Sequence, residues 1–178
     1  MTIKTILDFW FHQLTPEQWW KKDAAIDRAI RNQFASIHHQ TRLGELSAWR
    51  ETAGGCLAEV IVLDQFSRNM FRDSPQAFAC DGMALVLAQE AIRRGLNKSL
   101  PPEQRAFLYL PFMHSESLKI HQQALQLFSE PGLETNLAFE KQHADIIARF
   151  GRYPHRNAVL GRVSSEEEKA FLLQHPGF

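Results

Sequence analysis

Net charge, lysine, close cysteine pairs and long apolar runs are what this chain lacks, and each absence removes a class of function. Its 20 lysines and arginines balance 20 aspartates and glutamates, leaving no global field to draw it to nucleic acid or to an anionic membrane. The apolar run from Leu57 to Leu63 is broken by Glu59 and falls far short of the roughly 20 residues that cross a bilayer. Cys56 and Cys80 lack the close spacing of a zinc knuckle and read as small core residues in a reducing compartment. The opening MTIKTILDFWF has no basic leader, so it does not read as a signal peptide. A cytoplasmic protein with neither a membrane nor a nucleic-acid partner is expected. Dinucleotide, phosphate-loop and nucleophile-elbow motifs are missing too, so no cofactor is expected.

What is present is apolar, helical and rich in arginine. With 178 residues, 44% of them hydrophobic, the chain can bury one core, and a single domain over 1–178 is the expectation. Thr2, Thr15-Pro16, Asp23, Thr52 and Ser74-Pro75 read as helix starts, each a capping residue or a cap followed by proline. Gly44, Gly95 and Gly151 read as stops. Further helices are predicted from Ser99-Leu100-Pro101-Pro102 through a kink or break at Pro111, from about Ser115 to Phe128, from Glu134 to Phe150, and from the capping box at Ser165. No segment alternates with period two, so the fold class is all-α, built from antiparallel helix pairs.

Thirteen of the 20 basic residues are arginine, with no lysine between Lys22 and Lys98 or between Lys141 and Lys169. Arginine in that role points to forked hydrogen bonding to carboxylate or phosphate. Two stretches concentrate it, VLDQFSRNMFRDSPQAFACD from Val62 and FGRYPHRNAVLGR from Phe150, and they read as opposite walls of one site. Asp64 and Arg68 are spaced for an i,i+4 ion pair, and that alone is a structural clamp. The functional alternative has Arg68 and Arg72 holding an anion, with Asp64 and Asn69 orienting them. His114, following Pro111 and close to Glu116, is either an acid–base pair with that carboxylate or a satisfied side chain beside a cap at Ser115. Arg152, His155 and Arg156 flank Pro154 as an anion cradle, or cap the helix that ends at Phe150. His143 and Asp145 lie about 200° apart around a helix, so they cannot chelate one ion, and no metal is expected.

LDQFSRNMFRDSPQAFACD, YLPFMHSE from Tyr109 and HADIIARFGRYPHRNAVLGR from His143 resemble a bacterial family known as domain of unknown function nine-two-four. The resemblance runs from Leu7-Asp8-Phe9-Trp10 to the final glutamate-rich helix. It implies a compact fold similar to tetratricopeptide-like αα superhelices, and no assigned activity. The family's polar positions match at Asp64, Gln65, Arg68, Asn69, Arg72, Asp81, His114, Glu116, His143, Arg152, His155, Arg156 and Asn157; Ser67 departs from a common proline. Three functions fit: a pocket for a small anionic ligand, an interaction scaffold presenting a concave face to a peptide, or a hydrolase-type enzyme using His114 or His155. Oligomeric state and catalytic residues stay open.

Overall fold

The computed structural model describes residues 2–175. Its first helix, α1 (Ile3–Asp8), is capped by Thr2 and widens into a π turn over Phe9–Gln13. Then follow α2 (Pro16–Trp20), with a Thr15–Gln18 capping box, and α3 (Ala24–Arg42), whose Asp23 carboxylate accepts from Ala25 N and Ile26 N. The remaining helices are α4 (Ala53–Ile61), α5 (Ser67–Met70), α6 (Asp81–Arg93), α7 (Pro102–Met113), α8 (Leu118–Phe128), α9 (Glu134–Phe150) and α10 (Glu166–Gln174). No strand occurs among the described residues, and the all-α expectation holds.

The fold is built around α4. From Gly55 to Phe66 every residue is buried, so this rod is enclosed on all sides, with Glu59, Asp64 and Gln65 the polar residues it takes inside. It packs on α1, α6 and α7, while α7 packs on α8 and α8 on α9. The entry to α4 is set by Gly55, where a Cβ would stand 1.8 Å from the Trp49 carbonyl oxygen; only glycine lets these backbones meet. At its far end α4 passes without a stop into a π turn over Val62–Phe66 and then into α5. That wider turn carries Asp64 and Gln65, and such insertions in helices are frequent at functional sites.

Two boundaries differ from expectation. Ser74-Pro75 opens only a single 3-10 turn over Pro75–Ala77, and α6 starts at Asp81. Tertiary contacts override the cap: the Phe78 ring lies under two guanidinium groups and Asp81 binds both of them. Pro111 does not break α7, which runs on to Met113, and the following cap is Ser117, two residues past the expected Ser115. Ser115 instead turns its carbonyl onto His121 Nε2, at 2.8 Å. Of the described residues, no helix is long and apolar enough to cross a membrane.

Candidate functional site

The π turn, the C-terminal end of α7 and the segment after α9 converge on one buried carboxylate. Asp64 has no exposed surface. Its Oδ1 accepts from His114 Nδ1 at 2.7 Å and stands 3.0 Å from Arg68 Nη1, while its Oδ2 accepts from Gln65 Nε2 at 2.5 Å. Burial alone would raise the Asp64 pKa, but the Arg68 charge and the bonds from His114 and Gln65 outweigh it and hold the group well below the ordinary carboxylate range. An ionised carboxylate only accepts, so the His114 proton sits on Nδ1 and Nε2 keeps its lone pair. The ring is 16% exposed, and Nε2 has no partner among the described residues. Burial, aided by Arg68, lowers the His114 pKa, leaving the imidazole neutral and basic at neutral pH.

Around this dyad the arginines are spent on the protein's own acids. Arg68 forks onto Asp81 with both bonds at 3.0 Å and reaches the Asp64 carbonyl at 2.7 Å. Arg156 shares Asp81 at 3.3 Å, donates to the His114 carbonyl at 3.0 Å, and lies between the Phe78 and Tyr153 rings, 4.6 and 4.7 Å from their centres. The two arginine-rich stretches therefore do meet, through Asp81. Asn69 and Arg72 face elsewhere: both bond to Asp27 on α3, Arg72 through a fork of 2.7 Å contacts. Arg152 forks onto Glu168 of α10 at 2.7 and 2.8 Å, tying down the last helix.

Glu116 is not the partner of His114. It receives Arg162 at 2.7 and 2.9 Å and the Tyr153 backbone N–H at 2.7 Å, and these bonds lower its pKa against the opposing effect of burial. Asn157 accepts from Arg162 and donates to Ser164, fixing the same loop. His143 and His155 both lie against Tyr153, with ring centres 5.7 and 5.4 Å from it, and burial pushes both down to about 4. Among the described residues no cluster of His, Cys, Asp and Glu has metal-holding geometry.

Sequence reasoning missed a second buried pair. His121 Nδ1 meets Glu140 Oε1 at 2.6 Å, both side chains fully buried, and Tyr153 Oη lies 3.2 Å from His121 Nε2. The signal was there: His121 falls in the stripe His121, Ala124, Phe128 of α8, and Glu140 in the stripe Glu140, Ala144, Ile147 of α9, where apolar residues belong. Asp81 and Arg162 stood among the motif residues, yet their pairings are invisible in sequence.

Comparison with protein-family models decides the relationship: residues 6–177 match the model described as bacterial protein of unknown function (DUF924). The chain belongs to this family. A solved structure titled as a protein of unknown function, ATU0120 from Agrobacterium tumefaciens, is 39% identical to this DUF924 member, with a TM-score of 0.92 over 97% of each chain. Among curated proteins, nothing matches. The DUF924 relationship thus establishes the fold, and the chemistry must come from the geometry of the site.

Proposed function

We propose that this DUF924 protein binds a small anionic ligand at the His114 face and exchanges a proton with it, the Asp64–His114 dyad acting as general base. One observation carries the reading: an imidazole whose Nδ1 is bonded at 2.7 Å to a fully buried carboxylate, with its Nε2 lone pair unspent on a ring that reaches solvent. Dyads of this kind fix tautomer and orientation, and the lowered His114 pKa keeps the base unprotonated at neutral pH. The preference for an anion rests on the surrounding field. Arg68 lies near His114, and Arg156 and Arg162 near His155, each also paired with Asp81 or Glu116, so an anion would draw on the charge these pairs leave unbalanced. His143 lies beside the same Tyr153 ring and completes the candidate set. A cytoplasmic location accords with Cys56 and Cys80, both free and buried.

A second reading, a scaffold for a peptide partner, is favoured by the spent arginine forks, which then serve only to set helix geometry. Screening anionic metabolites and activated esters by thermal shift and turnover on the parent, His114→Gln and Arg156→Lys separates the two. The site reading expects a stabilising compound whose effect is lost in His114→Gln while that variant still folds. Loss of stability in both variants, with no compound acting on the parent, selects the scaffold.

A further inference from the structure

Two arginines outside the motifs, Arg50 and Arg94, face a common cavity with part of each guanidinium making no hydrogen bond among the described residues. Arg50, in the 3-10 turn Ser47–Glu51, places Nε and Nη2 on Glu59 at 2.9 and 3.2 Å, and its Nη1 has no partner among the described residues. Arg94, just past α6, spends Nη1 on the Arg50 carbonyl at 2.7 Å; its Nη2 is 3.8 Å from Glu51, too far for a hydrogen bond, and its Nε has no partner among the described residues. Both side chains line one cavity of about 220 Å³, walled by Leu87 and Ala91 of α6 and by Cys56 and Glu59 of α4. Glu59, with 0% of its surface exposed, is an ion-pair partner buried at that wall.

We propose that this cavity binds a small monocarboxylate with a short apolar tail. The carboxylate takes the Nε–Nη2 edge of Arg94 as a fork and Arg50 Nη1 as a single donor, and the tail lies against Leu87 and Ala91. Three carboxylates set the charge limit. Glu59 pairs with Arg50 and Glu90 with Arg93 at 2.7 Å, which leaves Arg94 facing the exposed Glu51 at 3.8 Å. A single added negative charge competes with Glu51 for Arg94, and a phosphate dianion is opposed more strongly. A volume of about 220 Å³ suits a molecule of roughly ten non-hydrogen atoms, taking about 20 to 30 Å³ for each. This site is separate from the His114 face.

The test titrates the full chain with sodium butyrate by calorimetry and by ¹H–¹⁵N spectra, with inorganic phosphate as the second probe. The expected result is saturable butyrate binding with shifts at the Leu87, Ala91 and Arg94 signals. Binding should weaken about tenfold or more in Arg94→Gln and survive in His114→Gln. Arg94 is a partly exposed side chain with one hydrogen bond, so Arg94→Gln should fold, and its amide spectrum verifies this. The proposal is overturned by any of three results: no saturation at tens of millimolar, equal binding to Arg94→Gln, or tighter binding of phosphate than of butyrate. Loss of binding in His114→Gln alone would move the carboxylate to the other site and overturn it as well.

Discussion

At the scale of single residues, the decisive fact is where charge is buried and what neutralises it. Asp64 is fully enclosed, and its charge is held by Arg68, His114 and Gln65. Removing it by Asp64→Ala leaves Arg68 paired with Asp81 but takes the acceptor from His114 and Gln65, so a loss of about 1 to 3 kcal/mol in urea unfolding is expected. Arg68→Lys keeps the charge and loses the fork on Asp81; leaving an acceptor short should cost about 1 to 3 kcal/mol. The dyad also sets a pH profile. His114 works as a base only when unprotonated, and its pKa is lowered, so any turnover should be flat at neutral pH and fall on the acid side below the ordinary imidazole range. A midpoint above pH 7 would contradict the assignment.

Among the elements, the central rod from Ala53 to Met70 does two jobs. Its first turn must touch the Trp49 carbonyl, so Gly55→Ala should cost about 3 kcal/mol, measured by thermal or urea unfolding, because the obstacle is backbone and cannot rotate away. Its π turn then aims Asp64 and Gln65 toward α7. The region before α6 behaves differently. Pro75 lies in an isolated 3-10 turn, so Pro75→Ala should change stability little, whereas Ala84→Pro inside the buried face of α6 should cost about 3 kcal/mol or more. Comparable losses would mean that α6 extends back to Ser74.

For the molecule as a whole, neutral buried histidines make stability depend on pH. His38, His143 and His155 are each lowered from 6.5 to about 4, chiefly by burial. Between these values the unfolded chain binds more protons than the folded one, so stability is full above pH 6.5 and is lost as pH falls toward 4. Each group contributes at most about 1.4 kcal/mol per pH unit, and less for the half-buried His143 and His155. Asp64, Glu116 and Glu168, all lowered by their partners, extend the loss into more acidic solution. Denaturant midpoints measured from pH 7.5 to 4 should therefore begin to fall near pH 6.5, well before carboxylates titrate; a curve flat to pH 4.5 would count against this account.

Local signals in the sequence settled the helices, because caps, prolines and stop glycines act within a few residues: Thr2, Asp23, Thr52, Ser165, Gly95 and Gly151 all stand where their chemistry required. The motifs also marked which residues meet, since Val62–Asp81 and Phe150–Arg162 come together at Asp81 and Arg156. Partners were decided by tertiary structure alone. Spacing offered Glu116 to His114, yet the carboxylate that binds it is Asp64, fifty residues away. Arg72, read in sequence as holding an anion with Arg68, and Arg152, read as part of the anion cradle, went to Asp27 and Glu168 because those acids lie on helices that pack beside them. A helix declares itself through neighbours along the chain, whereas a charge is satisfied by whatever the packing of distant elements brings within about 3 Å.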